Sequence, residues 1–248
     1  MLVQADTILG CRIKATDSEF GDVADLLMDD HDWVVRYLVI DTGHWLPGRR
    51  VLISPVEVLH PDWDEEILPV DMTAEQIENS PPLETELPIS RRKEVELSQY
   101  FGWVPYWEPF GGIGFGPEVA DMAVTAAPTE EEKESGAVKP KPGLRSVKEI
   151  EGYRIHAEDG DIGHVDDFLV DPEKWAMRYF IVDTRNFLPG RKVLIPPDWI
   201  DRIEWESARV FTEVSREGVK TSPEFDPGRL DDPDFEAELR RHYRQDEG

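Results

Sequence analysis

An internal repeat constrains the fold of this chain more than any other feature of its sequence. When the 248-residue chain is aligned with itself at an offset of 142 positions, residues 2–101 match residues 144–243 without a gap, and 32 of the 100 pairs are identical. Chance would give roughly 5 to 7 identities at ordinary composition. The sequence therefore predicts two copies of one structural unit of about a hundred residues.

Within the first copy, predicted strands alternate with turn-forming residues, and the run at 34–42 is rich in residues that favour β-strands. Strands are predicted at 22–29, 34–42 and 50–53, with weaker strands at 56–59 and 67–72. The segment Leu46-Pro47-Gly48-Arg49 predicts a tight turn, because proline suits its second position and glycine its third. Five or six short strands are enough for a small sheet to curl and close its edges, so each copy is predicted to form a small β-barrel.

Each copy is predicted to end in a short helix. Ser90 and Asp232 are suitable N-caps, and Pro233 suits a first helical turn. Leu97 and Phe101 lie four residues apart on one helical face, and the second copy repeats this spacing. The predicted fold is thus mainly β, with two small barrels in tandem, each followed by a C-terminal helix.

Two of the predicted strands, 36–41 and 51–53, are apolar on both faces. A solitary barrel would present a polar outer face to water, so something must cover these strands. The preferred interpretation is that the two copies pack on each other. The terminal helices or a second chain are the alternative covers.

The segment between the copies has two parts. Residues 100–116 are rich in aromatic residues and glycine, whereas residues 126–143 show no periodicity, are rich in charge and proline, and are predicted to be disordered. The predicted domains are a first barrel with its helix at 1–101, an aromatic loop and acidic linker at 102–143, and a second barrel with its helix at 144–248.

The charge of the chain argues against some classes of partner. The net charge is −26, which opposes binding to nucleic acid or to anionic lipid. The two copies differ, since residues 1–81 carry about −12 and residues 144–223 about −4. No signal peptide or membrane span is recognisable, and the single cysteine, Cys11, excludes an intrachain disulfide, so a cytoplasmic location is expected.

Four short motifs occur in both copies: G-x-R-I, D-x-x-x-G-x-V-x-D-x-L-x-D, W-x-x-R-Y-x-x-x-D-T and L-P-G-R-[RK]-V-L-I-x-P. Together they resemble the PRC-barrel family over about 75 residues of each copy. That family shares a domain between the cytoplasmic part of the photosynthetic reaction-centre H subunit and a ribosome maturation factor. The chain is similar in particular to bacterial members with two such domains, in which a segment like YFGWVPYW follows the first barrel.

The resemblance implies a small barrel and a function in docking to other macromolecules, since the founding members share no reaction. We expect neither founding role to transfer directly, because no membrane helix and no RNA-associated domain is recognisable beside the barrels. The leading hypothesis is a protein-binding or scaffolding module with an unidentified protein partner. The alternative is an H-subunit-like accessory protein that supports electron or proton transfer at a photosynthetic membrane complex.

The residues that usually carry catalysis or bind metals form no recurring pattern. None of the six histidines is matched by a histidine in the other copy, no glycine-rich phosphate loop is present, and no nucleophile lies in a recognisable motif. The sequence predicts no metal site, no cofactor and no enzymatic activity.

Charged residues that recur inside apolar strands are predicted to form structural ion pairs, because an unpaired buried charge is costly. They are Asp25 and Arg36 in the first copy and Asp167 and Arg178 in the second. A carboxylate that relays protons is the functional alternative for Asp25.

The aromatic residues after the first copy do not recur and are the candidate protein-interaction residues: Trp103, Tyr106, Trp107, Phe110 and Phe115. They are interpreted either as a local clasp over the first barrel or as a docking patch, since tryptophan and tyrosine dominate interface hot spots. A homodimer, or intramolecular pairing of the two barrels, is compatible with either interpretation.

Overall fold

The computed structural model of the chain describes residues 1–43, 45–81, 83, 89–107, 144–184, 190–230 and 232–245. The predicted linker at 126–143 and the greater part of the aromatic loop lie outside these residues. The described chain is mainly β, as predicted, with one curled sheet of 13 strands and a few helices.

The strands of the first half are β1 (Val3–Gln4), β2 (Arg12–Lys14), β3 (Glu19–Asp29), β4 (Val34–Asp41), β5 (Arg50–Ile53) and β6 (Ile67–Pro69). Its helices are α1 (Ala5–Ile8), α2 (Ala74–Glu78) and α3 (Arg91–Phe101). The strands of the second half are β7 (Leu144–Ser146), β8 (Arg154–Ala157), β9 (Gly160–Asp171), β10 (Ala176–Asp183), β11 (Lys192–Ile195), β12 (Ile200–Glu204) and β13 (Arg209–Thr212). Its helices are α4 (Val147–Ile150), α5 (Arg216–Thr221) and α6 (Pro233–Gln245).

The long strands β3 and β4 form an antiparallel hairpin, and so do β9 and β10. Gly48 closes the next turn with a φ of 76°, the left-handed conformation that glycine adopts without strain. Gly21 has a φ of 55°, and a Cβ there would collide with the carbonyl oxygen of Asp41. Gly21 therefore lets β3 and β4 approach closely in a small curled sheet.

The prediction of a strand at 56–59 is wrong for its first residues. Pro55–Glu57 form a 3₁₀ turn, and only Val58 makes a bridge, to Val70. Ser54 caps this turn by accepting a hydrogen bond from the amide of Val56. Proline and a serine cap favour a turn here over a continued strand, although the following residues have β propensity.

The two halves exchange their first strands. The short strand β1 of the first half pairs with β9 of the second, and β7 of the second half pairs with β3 of the first. The sheet is also continuous between the halves, because Val34 of β4 pairs with Ala176 of β10. The described halves therefore share one sheet.

Side chains from both halves meet in one core. The ring of Trp33 packs edge-on against Phe180, with centroids 5.1 Å apart, and Phe180 contacts Phe168 at 4.9 Å. The backbone amide of Val35 donates to the carbonyl of Trp175, and the amide of Met177 donates to the carbonyl of Trp33, both at 2.7 Å. This reciprocal pair of hydrogen bonds fixes the two hairpin ends against each other.

The outer faces of the strands that are apolar on both sides are covered mainly by the terminal helices. Leu97 of α3 and Trp103 lie in a buried cluster with Tyr37 and Val39 of β4. In the second half, Phe235 and Leu239 of α6 are buried and line a cavity with Leu169, Tyr179 and Leu194. Of the alternatives predicted from the sequence, the terminal helices are thus the ones found over these faces. The two halves meet through the exchanged strands and the hairpin ends.

Candidate functional site

A groove of about 710 Å³ runs along the junction of the two halves. One side is formed by the start of β4 and by the chain from Ser54 to Pro61. The second side is the segment from Trp103 to Tyr106, and the third is the β9–β10 turn from Pro172 to Trp175. We call this cleft the first-half groove.

Three aliphatic side chains in this groove are exposed to solvent. Val56 is 76% exposed, Leu59 50% and Val104 58%. Val56 lies in the 3₁₀ turn that follows β5, and its side chain is exposed there. An apolar group of this kind, gathered in a concave surface, is typical of a site that binds a protein or another apolar ligand.

The aromatic segment forms one wall of the groove and is fixed to the first half. Gly102 ends α3 with a φ of 75°, a left-handed cap that turns the chain back over the sheet. Trp103 is only 8% exposed and stacks on Phe101 at a centroid distance of 4.3 Å. Its indole N–H donates to the Glu57 carboxylate at 2.5 Å, which joins this wall to the 3₁₀ turn opposite.

Tyr106 is held by a buried charged cluster. Its hydroxyl donates to Glu94 Oε2 at 2.9 Å and accepts from Arg91 Nη1 at 3.2 Å. The Arg36 guanidinium lies 4.1 Å from the centre of the Tyr106 ring, a cation–π contact. Arg36 also pairs with Asp32 at 3.1 Å.

Burial shifts the pKa values in this cluster. Glu94 is 3% exposed, and loss of hydration raises its pKa to about 7, although the nearby Arg91 opposes the shift. Burial, together with the charge of Glu94, also raises the pKa of the Tyr106 and Tyr37 hydroxyls. Sequence reasoning did not single out Glu94, since nothing distinguishes it from the other glutamates of an amphipathic helix.

The remaining aromatic candidates differ in their placement. Trp107 is half-buried and lies under the Arg91 guanidinium, 4.0 Å from its ring centre. Phe110 and Phe115 lie outside the described residues. Trp103, Tyr106 and Trp107 therefore make local contacts with the first half, and Trp103 and Tyr106 also line the groove.

The second half has a smaller counterpart of this groove, of about 390 Å³. We call it the second-half groove. At the repeat offset, Val56 corresponds to Asp198, which lines this cleft and is exposed, and Leu59 corresponds to Asp201, also exposed. The exposed apolar group is therefore a property of the first half, which supplies an internal control for any test of the groove.

Of the four recurrent charged residues predicted to form ion pairs, only Arg36 lines the first-half groove. Asp25 accepts hydrogen bonds from the Ser146 hydroxyl at 2.5 Å and from the amide of Lys148 at 3.3 Å. Asp167 accepts from the side chain of Gln4 at 2.9 Å and from the amide of Asp6 at 3.2 Å.

These contacts are hydrogen bonds to neutral donors and not the predicted ion pairs. Each aspartate binds the first turn of the short helix contributed by the other half, where free amide groups favour a carboxylate. Burial raises the pKa of Asp167 to about 6. Arg36 contacts Asp29 at 3.8 Å in addition to Asp32, and Arg178 is half-buried on β10, lining two cavities.

The fold is a small curled β module with a cleft at the junction of its halves. Residues 142–214 match the family model of the PRC-barrel domain. The chain thus contains a PRC-barrel domain, and the family predicted from the sequence motifs is confirmed. No curated protein matches the chain. None of the described helices is long and apolar enough to cross a membrane.

Proposed function

We propose that the chain is a non-enzymatic protein-binding module built from two duplicated PRC-barrel units. In this proposal a partner protein docks in the first-half groove. The observation that carries the proposal is the exposure of Val56, Leu59 and Val104 in one concave surface. Fully burying one valine or leucine side chain contributes about 1.5–3 kcal/mol, so two or three such anchors support a specific complex.

The charge of the chain indicates the chemistry of the partner. A net charge of −26 attracts basic segments and repels acidic ones over distances of about 10 Å at 0.1 M salt. We therefore propose that the docked segment carries apolar side chains flanked by lysine or arginine. Its apolar residues contact Val56 and Leu59, and its cations lie in the field of the acidic surface.

The duplicated architecture supports a scaffolding role. The 32 identities at one offset and the reciprocal hydrogen bonds of Asp25 and Asp167 are what duplication of one unit would produce. Exchange of β1 and β7 makes the halves one body, so the groove between them is preformed. A preformed groove lowers the entropy cost of docking.

The ionisable groups of the groove fit binding better than catalysis. Among the described lining residues, His60, Glu173 and Lys174 are exposed at the rim. Arg36 pairs with Asp29 and Asp32, and the Tyr106 hydroxyl is hydrogen-bonded to Glu94 and Arg91. An acid or base poised for proton transfer is usually partly buried and aimed at a reacting group. We therefore propose binding and not catalysis as the role of the groove, and a cytoplasmic location for the protein.

Site-specific photo-crosslinking in the native cell tests the proposal. A benzophenone amino acid is placed at Val56 or Leu59 and, as matched controls, at Asp198 or Asp201 of the second half. The proposal predicts a shared adduct at positions 56 and 59, weak or absent at 198 and 201, whose crosslinked segment is apolar with flanking lysine or arginine. No adduct at 56 and 59, or equal adducts at all four positions, would refute it.

A further inference from the structure

The strands β9 and β10 carry a histidine and two aspartates that lie close together, outside the groove and outside the exchanged segments. The ligand atoms of His164, Asp166 and Asp183 all lie within 4.8 Å of one another. We propose that these three residues form a binding site for a divalent transition-metal ion such as Zn²⁺.

The sheet register brings the three side chains to one face. His164 and Asp183 are cross-strand partners, so their side chains project to the same side of the sheet. The register shifts between Ile181 and Val182, which leaves Asp166 as the extra residue of a β-bulge. A bulge re-aims the side chain that it carries, and here it places Asp166 beside the other two.

The chemistry of the three residues fits a borderline metal ion. Imidazole nitrogen combined with carboxylate oxygen is a ligand set that Zn²⁺ and its neighbours accept, whereas Mg²⁺ and Ca²⁺ prefer oxygen ligands alone. Asp183 is 4% exposed and lies at the buried end of the site. His164 and Asp166 are half-buried and face solvent. Three ligands leave a coordination position open to water or to a ligand from another molecule.

A cation of the protein already lies at this site. Lys192 of β11 is the cross-strand partner of Asp183, and its Nζ lies 2.5 Å from Asp166 Oδ2. The ammonium group partly neutralises the two carboxylates and competes with a metal ion for Asp166. The side chain of Lys192 is 46% exposed, so it can turn into solvent when an ion binds.

The first half lacks this set of ligands. The residues at the equivalent positions are Asp22, Ala24, Asp41 and Arg50, without a histidine and without the carboxylate at the bulge. The sequence predicts no metal site, because none of the six histidines is matched by a histidine in the other copy. Strand pairing and a bulge bring one histidine and two carboxylates together here, and such a set has no recognisable spacing in the sequence.

The test is calorimetric titration of the tag-free full chain, stripped with a chelator, with ZnCl₂ at pH 7. His156 supplies a matched control, because its Nδ1 contacts Asp161 at 2.7 Å in a second histidine–aspartate pair outside the three-residue cluster. We expect one bound ion per chain, affinity weakened at least about tenfold by His164→Asn and by Asp166→Asn, and little change with His156→Asn.

Lys192→Met gives a readout that a purely structural role would not produce. Removal of the competing ammonium should raise the affinity for Zn²⁺ several-fold, and the folded state of each variant is checked by circular dichroism. Absence of 1:1 binding, or binding that His164→Asn and Asp166→Asn leave unchanged, would overturn the proposal.

Discussion

The carboxylate of Asp25 accepts a hydrogen bond from the hydroxyl of Ser146, a residue 121 positions later in the chain. In the second half, Asp167 accepts a hydrogen bond from the side chain of Gln4. At the repeat offset, Asp167 is equivalent to Asp25, and Ser146 is equivalent to Gln4. Because Ser146 and Gln4 precede the exchanged helices α4 and α1, each half holds the first turn of a helix that belongs to the other. This reciprocal exchange joins the two halves in one structure and preforms the groove between them.

Asp25→Ala should destabilise the whole chain by about 1–3 kcal/mol, since the Ser146 hydroxyl and the Lys148 amide would lose a buried acceptor. Urea unfolding, followed by tryptophan fluorescence, measures the change. Asp22→Ala on the same strand is the control, because Asp22 is exposed and should shift the unfolding free energy by less than about 0.5 kcal/mol. Equal effects of the two substitutions would contradict the role assigned to Asp25.

A protease site introduced between residues 108 and 143 should leave the two halves associated after cleavage. The exchanged strands, the paired hairpin ends and the shared core all continue to hold the fragments together without the covalent connection. Size-exclusion chromatography under native conditions measures the outcome. Co-elution of both fragments at the volume of the uncut chain is expected, and separation into two smaller species would argue against a shared core.

The stability of the chain should fall as the pH rises from about 5 to about 8. Burial raises the pKa of Glu94 and of Glu151 to about 7 and that of Asp167 to about 6. The folded state therefore holds these protons at pH values where the unfolded state has released them, and stability is lost as the pH rises through the folded pKa values.

Glu94→Gln isolates one of these groups. The shift of the Glu94 pKa from 4.5 to about 7 corresponds to a penalty on the order of 3 kcal/mol for its charged form. The variant should match the wild type at pH 5 and exceed its stability at pH 8, as measured by urea unfolding at each pH. Glu96→Gln on the exposed face of α3 is the control, and an advantage of Glu94→Gln that is constant with pH would contradict the assignment.

Trp103→Ala should destabilise the first half by about 3 kcal/mol, because it removes a buried indole that stacks on Phe101 and donates to Glu57. Trp107→Ala should cost about 1 kcal/mol or less, since Trp107 is half-buried and its contact is with the Arg91 side chain. Thermal unfolding compares the two variants. A larger effect of Trp107→Ala than of Trp103→Ala would contradict the conclusion that Trp103 fixes the aromatic segment to the first half.

The sequence predicts much of the local structure because local residues determine it. The apolar runs in β3 and β4 predict strands, and the Leu46-Pro47-Gly48-Arg49 turn follows from the φ preferences of proline and glycine. Ser90 caps α3 by accepting from the amide of Lys93, which is a contact within one turn of chain. None of these features depends on distant partners.

Structural features that depend on contacts with distant residues cannot be predicted from the local sequence in this way. Strands β1 and β7 are two and three residues long, too short for any periodicity, and they form only because the other half offers an edge. The same limit applies to Asp25, whose partners are 121 and 123 residues away, and to Glu94, whose pKa reflects tertiary burial. The β propensity of residues 56–59 predicts a strand, but Ser54 and Pro55 favour the 3₁₀ turn that forms instead.

We propose that the exposed aliphatic residues of the first-half groove bind a basic, partly apolar segment of a partner protein. The most direct measurement is the affinity of the purified chain for a synthetic peptide copy of the segment crosslinked at position 59, by fluorescence anisotropy. Leu59→Asp, which installs the residue found at the equivalent position 201, should weaken binding at least about tenfold, since one lost anchor costs at least about 1.4 kcal/mol. Asp201→Asn in the second half should leave the affinity unchanged, and an equal affinity for wild type and Leu59→Asp would contradict the account.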